Sequence, residues 1–395
     1  MAQRGHQVTA LHINETQPLP GVTTVRYPVN APAKGNAAHP WVHDFNTKVI
    51  RGEAAWQAAR KLDAQGLKPD LIVAHPGWGE SLFLKDVWPD ARLGIYCEFY
   101  YLVNGGDVNF DPEFQASPED QACRLRTKNA NVDLHFPMAQ GGLSPTQWQK
   151  SVFPEPFRSR ITVMHDGIDT ERLRPLPDAY LQLKTRYGDV TVRKGDEVIT
   201  FVNRNLEPYR GYHIFMRSLP QLMRDRPNAR FLVVGGNEVS YGAAPAPGPD
   251  GKARSWKDIL LDEVRDQLDM SRLHFLGRIP YDRFVTLLQL STVHLYLTYP
   301  FVLSWSLLEA MSVGCAIVAS DTPPVQEAIE HDKTGRLVDF FDQTGLIRTV
   351  NELMDNPEER ARLGANARAY AQATYDLKTH CLPGQMAWVE GLMRA

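Results

Sequence analysis

The stretch YPFVLSWSLLEAMSVGCAIVASDTPPVQE, residues 299–327, specifies the fold of this 395-residue chain. An apolar run over residues 293–299 ends at a turn that contains a proline, and a helical pattern then extends over residues 307–313. Gly314 ends that pattern, and residues 315–320 form a second apolar run with strand character. A strand, a helix and a strand in this order predict one βαβ unit of a parallel sheet.

The helix of such a unit begins at the carboxyl end of its strand, where free N–H groups and the helix dipole attract an anion. Ser304 and Ser306 mark that point, and Glu309 lies one turn further along. A nucleotide diphosphate fits these groups, because the Glu309 carboxylate can accept hydrogen bonds from ribose hydroxyls. An alternative stays open and is favoured by spacing alone: Ser306 to Glu309 is also a capping box, in which Glu309 satisfies a backbone N–H.

Residues 307–311, LLEAM, are followed by a glycine between small residues, an apolar strand, Asp321 and the PVQE of residues 324–327. This order resembles the donor-site signature of family-4 glycosyltransferases, which are retaining enzymes of the GT-B fold. The resemblance implies two glutamates separated by seven residues, and it places the second one, the expected ligand of the donor ribose, at Glu309. The first falls on Phe301, so a carboxylate expected near the diphosphate and the sugar is absent.

Composition bounds the class of protein. The length suggests two to three domains, and 43% hydrophobic residues are enough for substantial cores. A formal net charge of -3 argues against a nucleic-acid partner. The longest apolar runs fall short of the roughly 18 residues that span a bilayer, and the first residues lack the apolar region of a signal peptide. We therefore expect a cytoplasmic protein, with peripheral membrane contact left open.

Cysteine and histidine usage predicts neither disulfides nor a metal site. The four cysteines, at positions 97, 123, 315 and 381, include no Cys-x-x-Cys pair, so we expect buried thiols in a reducing compartment. The sequence contains no His-Glu-x-x-His motif and no Asp-x-Asp pair. We therefore expect no metal ion and no cofactor beyond a nucleotide diphosphate sugar as donor substrate.

The first residues, 4–11, indicate the end of a helix, a glycine cap and the second strand of a doubly wound domain. The GT-B resemblance implies a strand, a glycine-rich loop and a helix ahead of them. We therefore expect the first strand and its glycine loop to be absent, with the chain starting downstream of its natural start.

Two strands predicted in the first domain, over residues 70–74 and 92–97, lead to His75 and Glu98. Family-4 enzymes often carry a histidine after the second of these strands, close to the sugar and the acceptor, and Glu98 occupies the matching position. A carboxylate there can orient an acceptor hydroxyl or take part in proton transfer. A surface glutamate beside an aromatic cluster is the open alternative, and His75 is a weaker candidate.

In the second domain, a strand predicted over residues 197–203 leads to Arg204 and then to Arg210 and Gly211. This order resembles the family's Arg…Lys-Gly element, although the spacing is one residue longer and arginine replaces lysine. The resemblance implies that both cations grip the donor diphosphate. Arginine suits bidentate phosphate binding and would neutralise the charge that develops on the leaving nucleotide.

Further donor contacts are expected around the next strands. Gly235 and Gly236 end a buried strand over residues 231–236 and allow a ligand to approach the backbone closely. Arg278 lies in a strand and turn that, by resemblance, frame the nucleobase. The Pro/Gly-rich segment 243–251 predicts a loop that projects from the cleft edge and acts as a mobile flap.

These features predict an α/β protein of the GT-B fold, with two doubly wound Rossmann-like domains facing across a cleft. We expect an acceptor-side domain over residues 1–180, a nucleotide-sugar-binding domain over residues 181–375, and a C-terminal helix within 376–395 that crosses back to the first domain. By resemblance, the last helix of the family takes this course.

The predicted function is transfer of a sugar from a nucleotide diphosphate sugar to an acceptor hydroxyl with retention, the acceptor being a glycan, a lipid-linked carrier or a small molecule. Two alternatives stay open. A sugar-nucleotide epimerase or hydrolase would use the same scaffold without an acceptor. A non-catalytic GT-B binding protein is compatible with Phe301 and with the absent first strand.

Overall fold

The structure, a computed structural model, describes residues 1–29, 39–115 and 118–394. The described chain divides into two compact units. The first contains Met1–His165 together with the residues from Leu382 onward, and the second contains Asp166–Cys381.

Strands and helices alternate along most of the chain. The strands are β1 (Val8–His12), β2 (Val22–Arg26), β3 (Leu71–Ala74), β4 (Arg92–Tyr96), β5 (Gly141–Ser144), β6 (Ile161–Val163), β7 (Tyr180–Thr185), β8 (Gly188–Arg193), β9 (Val198–Asn205), β10 (Arg230–Gly236), β11 (Leu273–Gly277), β12 (Val293–Tyr296), β13 (Ile317–Ser320) and β14 (Arg336–Val338). The helices are α1 (His43–Ala64), α2 (Leu84–Val87), α3 (Pro118–Asp133), α4 (Gln147–Ser151), α5 (Tyr212–Asp225), α6 (Trp256–Val264), α7 (Tyr281–Leu290), α8 (Trp305–Ser312), α9 (Pro323–Gln326), α10 (Gln343–Asp355), α11 (Pro357–Tyr375) and α12 (Leu382–Arg394).

In the first unit, β3, β4, β5 and β6 form a parallel sheet in that order, and β1 pairs with β2 in a separate parallel sheet. The centre of the larger sheet is apolar, with Leu93 and Ile95 of β4 fully buried. Helix α12 packs on β4 because Gly94 has no side chain: a Cβ there would lie 2.8 Å from the Trp388 ring and would also overlap Leu392. The last helix therefore belongs to the first unit.

The second unit contains a six-stranded parallel sheet in the order β11-β10-β9-β12-β13-β14. The chain runs outward from β9 through β10 to β11 and then returns to β12, which lies on the other side of β9. The winding direction of the sheet therefore reverses between β9 and β12. Its strands are buried on both faces, as Phe201, Leu232, Leu295 and Val318 show. Ligands of doubly wound sheets bind at the carboxyl ends of the strands near such a reversal.

The βαβ unit predicted from residues 293–320 is confirmed as β12, α8 and β13, and the two strands pair in parallel with Leu295 opposite Val318. Four boundaries differ: β12 ends at Tyr296, α8 spans Trp305–Ser312, and β13 begins at Ile317. Helix α8 begins earlier than expected because the Ser304 hydroxyl accepts a hydrogen bond from the Ser306 N–H and caps it.

The division between the units also differs from the expected residue 180. Ile168 and Leu173 are buried in the core of the second unit. Ile168 forms a β-bridge with Asp376: the Ile168 N–H donates to the Tyr375 carbonyl, and the Leu377 N–H donates to the Ile168 carbonyl, both at 2.9 Å. Because of these contacts, residues 166–180 belong to the second unit. The chain rejoins the first unit at Leu382.

Candidate functional site

The turn after β9 carries both predicted phosphate-binding arginines, and it makes different use of each. Arg210 is 6% exposed, and its Nη1 donates to Thr298 Oγ1 at 2.8 Å and to the Val302 carbonyl at 3.1 Å. Gly211 follows with a φ of +68°, and a Cβ at that position would overlap Leu297. Arg210 therefore ties this turn to the loop after β12.

Arg204 is exposed and lines a cavity of about 650 Å3 at the carboxyl ends of β9, β10 and β11. Asn203, Arg278 and Tyr281 line the same cavity, and Arg210 does not. Among the residues that the structure describes, none forms a hydrogen bond or an ion pair with the Arg204 guanidinium. Arg204 is therefore available to an anion, whereas Arg210 directs its Nη1 hydrogen bonds to oxygens of the protein.

Gly235 and Gly236 leave room for neighbouring side chains. A Cβ at Gly235 would lie 2.7 Å from Leu206 Cδ2, and one at Gly236 would lie 2.9 Å from Arg278 Nε. Arg278 Nη2 donates to Asn205 Oδ1 at 3.2 Å and also pairs with Glu238 in the loop after β10. Gly236 thus allows Arg278 to lie against the end of β10 as part of the cavity wall, and Gly235 allows Leu206 to pack there.

Ser304 and Ser306 lie together at the start of α8, with their hydroxyl oxygens 2.9 Å apart. The Ser304 N–H donates to the Tyr296 hydroxyl at 2.9 Å, which fixes the chain as it enters the helix. The predicted capping box between Ser306 and Glu309 is wrong, because Ser304 is the cap and Glu309 lies deeper in the helix.

Glu309 instead faces α7, where the Tyr281 hydroxyl donates to its Oε1 at 2.6 Å. Glu309 is 7% exposed. Burial raises the pKa of Glu309, and the hydrogen bond from Tyr281 lowers it. Because Tyr281 lines the cavity, it connects Glu309 to the wall that Arg204 and Arg278 form.

Phe301, which replaces an expected carboxylate, is 4% exposed and lies in an aromatic cluster. Its ring centroid is 4.8 Å from that of Tyr241 and 5.8 Å from that of Tyr209. The Arg210 guanidinium carbon lies 5.8 Å from the Phe301 ring and 5.2 Å from the Tyr241 ring. Position 301 therefore presents an aromatic ring to Arg210 in the protein interior.

Glu207 is a residue of this turn that the sequence motifs do not single out. It is fully buried, and its Oε2 accepts hydrogen bonds from the N–H groups of Ser240 at 2.8 Å and Tyr241 at 3.2 Å. Burial raises the pKa of Glu207 to about 7, against the lowering effect of those N–H groups and of Arg210 and Arg204. Its position between the two arginines is the signal in the sequence that points to it.

In the first unit, Glu98 follows β4 and lies beside His75, with 3.2 Å between Glu98 Oε2 and His75 Nε2. The Gln149 side chain donates to the Glu98 carbonyl at 2.6 Å and holds the backbone. The His75 ring contacts Trp78 and Tyr96, at centroid distances of 5.7 Å and 5.5 Å. The Glu98 side chain is 49% exposed, so it is held in place and open to solvent.

The remaining expectations concern a loop, the cysteines, a metal site and membrane spans. Residues 237–255 contain no helix or strand, in agreement with the predicted loop, and the mobility of segment 243–251 stays a prediction. The four cysteines are free thiols, and Cys97, Cys315 and Cys381 are buried. Within the described ranges, no three His, Cys, Asp or Glu side chains are grouped so as to hold a metal ion, and no helix is long and apolar enough to cross a membrane.

Comparison with known proteins defines the class. Residues 4–173 match the family model described as "Glycosyl transferase family 4 group", and residues 187–370 match the one described as "Glycosyl transferases group 1". The two matches together cover most of the chain. The protein therefore belongs to the family-4, group-1 glycosyltransferases, a family of sugar-transferring enzymes.

Solved structures define the fold as GT-B. Sucrose-phosphate synthase from Thermosynechococcus elongatus superposes with a TM-score of 0.74 at 16% identity, over 100% of this chain and 91% of that protein. HepE from Anabaena, in complex with UDP-glucose, gives a TM-score of 0.63 at 15% identity, over 94% of this chain and 86% of that protein.

Curated relatives match over a smaller share of their own length. The chain is 25% identical to the D-inositol 3-phosphate glycosyltransferase of Corynebacterium efficiens, over 78% of this chain and 68% of that protein. It is 24% identical to a GDP-mannose-dependent phosphatidylinositol monomannoside mannosyltransferase of Mycolicibacterium smegmatis, over 59% of this chain. The chain spans 58% of the length of that second relative.

Proposed function

We propose that the protein transfers a sugar from a nucleotide diphosphate sugar to an acceptor hydroxyl with retention of configuration. The observation that carries the proposal is the cavity of about 650 Å3 in the second unit, where Arg204 and Arg278 form the wall and Tyr281 connects it to Glu309. This volume falls within the range of small-molecule sites, roughly 300–1,000 Å3.

Each predicted residue has a role in this proposal. Arg204 binds the diphosphate directly, and the buried Arg210 adds positive charge from behind the loop after β12. The positive end of the α8 dipole, marked by Ser304 and Ser306, adds to the attraction for the diphosphate. Arg278 lies against the base, and Glu309 accepts the ribose hydroxyls; Gly235 and Gly236 give the ligand and Arg278 the room that they need.

The leaving diphosphate would be stabilised by arginine charge, so the proposed reaction is metal-independent. No cofactor other than the donor substrate takes part in it. Same-face displacement assisted by the leaving phosphate is the mechanism implied by the family resemblance. In the first unit, Glu98, supported by His75, would orient the acceptor hydroxyl or take its proton.

The names of the relatives suggest where to begin with substrates. HepE was solved with UDP-glucose, one curated relative is named for GDP-mannose, and both curated relatives are named for inositol-containing acceptors. We therefore propose a UDP- or GDP-sugar donor, and an acceptor that carries a phosphorylated cyclic polyol, free or lipid-linked. Unpaired thiols suggest a reducing compartment such as the cytoplasm, with peripheral membrane contact if the acceptor is a lipid.

The experiment is thermal unfolding of the protein with UDP, GDP, ADP and their sugar conjugates, followed by product analysis with the donor that binds. A ligand at about 100 times its dissociation constant adds roughly 2.7 kcal/mol to the free energy of unfolding. A shift with one base, and a sugar transferred only when acceptor is present, supports the proposal. Free sugar or an altered sugar nucleotide without acceptor would indicate a hydrolase or an epimerase. No shift with any nucleotide would indicate a non-catalytic scaffold.

A further inference from the structure

The turn between β9 and α5 buries a carboxylate that the proposed reaction does not use. Glu207 is 0% exposed, and its Oε1 has no hydrogen-bond partner among the described residues. Removing a carboxylate from water is costly unless it is paired and hydrogen-bonded. A glutamate in this place therefore needs a reason beyond packing.

One reason is the segment that follows β10. Glu207 Oε2 accepts from the N–H groups of Ser240 and Tyr241, and Asn205 Nδ2 donates to Ser240 Oγ at 2.7 Å. Ser240 lines the cavity of the proposed donor site. The end of β9 thus holds this wall of the cavity through two side chains, of which Glu207 is the charged one.

A second reason is Arg210. The hydrogen bonds of its Nη1 go to neutral oxygens of Thr298 and Val302, and its guanidinium lies near the faces of Phe301 and Tyr241. A buried cation in such surroundings needs a counter-charge. Glu207 lies in the same turn, and the positive charges of Arg210 and Arg204 both favour its ionised form.

We propose that Glu207 is a positioning residue of the donor site, because its carboxylate is the buried counter-charge of Arg210 and also fixes the Ser240–Tyr241 segment. The proposal has two parts: a charge–charge coupling within the protein, which needs no donor, and an effect on donor use, which rests on the proposed function. The two parts are measured separately.

The coupling is measured by a double-mutant cycle on thermal unfolding with Glu207→Gln, Arg210→Met and both together. If the charges are coupled, the double variant loses less of its unfolding midpoint than the two single variants lose in sum. Glu263→Gln, which breaks an exposed ion pair with Arg217 at 2.6 Å, serves as a control and should be additive with Arg210→Met. Additive losses for Glu207 and Arg210 would overturn the proposal.

The effect on donor use is measured by steady-state kinetics across pH 6 to 9. Glu207→Gln retains an oxygen that can accept from Ser240 and Tyr241, so a purely structural role would leave kcat/KM and its pH profile unchanged. We expect instead that kcat/KM of Glu207→Gln falls about tenfold to a hundredfold at pH 8. The wild-type kcat/KM should increase near pH 7 as Glu207 ionises, and this increase should be absent in the variant. An unchanged profile in Glu207→Gln would overturn the proposal even if the coupling is present.

A relocation variant tests whether charge is the property required. Position 301 faces the Arg210 guanidinium, so Phe301→Glu in the Glu207→Gln background places a different carboxylate close to the same cation. We expect the second substitution to recover part of the lost donor activity, whereas Phe301→Gln in the same background should not. Equal activities for these two double variants would contradict the counter-charge role. A wild-type protein that binds no nucleotide would refute the proposed function and leave the coupling measurement standing.

Discussion

The Tyr281 hydroxyl donates a 2.6 Å hydrogen bond to the Glu309 carboxylate, across from α7 to α8. The two residues are distant in sequence, and each alone has an ordinary interpretation: a tyrosine at a helix start and a glutamate in a capping box. Together they place a buried acceptor behind the wall of the cavity that Arg204 lines. The contact gives the carboxylate of Glu309, a residue that is only 7% exposed, a hydrogen-bond partner beside the cavity.

Tyr281→Phe should lower the free energy of unfolding by about 1–3 kcal/mol, because Glu309 then stays buried without its partner. Donor KM should rise several-fold, since the carboxylate is no longer held toward the ribose. Chemical denaturation and donor titration measure the two effects. The matched control is Tyr187→Phe: Tyr187 is exposed, its hydroxyl accepts from the neighbouring Arg186 side chain, and the change should cost less than about 0.5 kcal/mol. Equal losses in the two variants would contradict this role.

Arg204→Ala should reduce kcat/KM about a hundredfold or more, in line with the loss of one charge-stabilising donor in an active site. Because Arg204 is exposed, the unfolding midpoint of the variant without ligand should stay close to that of the wild type. The thermal shift produced by a nucleoside diphosphate should nearly disappear. Arg348→Ala, which removes another exposed arginine 3.8 Å from Glu352, should leave both measurements unchanged. Full activity in Arg204→Ala would remove this residue from the donor site.

Gly211→Ala should destabilise the second unit by about 2–5 kcal/mol. The left-handed backbone costs an L-residue about 1–2 kcal/mol, and the overlap with Leu297 adds about 1–3 kcal/mol of overpacking. Gly251 has a similar φ of +73°, and a Cβ added there would meet no described atom within 4 Å, so Gly251→Ala isolates the backbone cost. Urea denaturation of both variants measures the difference, and equal losses would show that contact with Leu297 is unimportant.

Glu98→Gln should slow transfer to the acceptor at least about tenfold, because an amide cannot take a proton from the acceptor hydroxyl. Donor binding should not change, since the proposed donor contacts all lie in the second unit. Glu155→Gln is the matched control: that side chain is 51% exposed and pairs with Arg158 at 2.9 Å, much as Glu98 pairs with His75. Normal transfer by Glu98→Gln would leave Glu98 as a surface residue.

The pKa of Glu207, raised to about 7 from an ordinary 4.5, predicts a pH dependence of stability. The folded protein keeps this proton between about pH 4.5 and 7 while the unfolded chain releases it. The wild type should therefore lose up to about 3 kcal/mol of stability over this interval relative to Glu207→Gln. Denaturation of both proteins at pH 5 and pH 8 measures the difference. Parallel changes in the two proteins would show that Glu207 titrates normally.

Local patterns in the amino-acid sequence are enough to specify the fold class and much of the second sheet. The stretch from residue 293 to residue 320 alternates apolar runs with a helical period, and this alternation predicts β12, α8 and β13. The hairpin of β7 and β8 is not predicted: residues 180–193 lie beside the expected domain boundary at residue 180, and no strand is expected there. Its inward side chains, Leu181, Leu183 and Val192, alternate as a half-buried strand pair requires.

The candidate site follows from the sequence only in part. Motif positions point to Arg204, Arg278 and Glu309, and the structure brings the first two to one cavity and the third to its wall through Tyr281. The burial of Arg210, and the buried carboxylate of Glu207 in the same turn, emerge only from the three-dimensional packing. The reason is physical: spacing along the chain sets which end of a strand a residue occupies, whereas burial and partners depend on what the neighbouring strands and loops place around it.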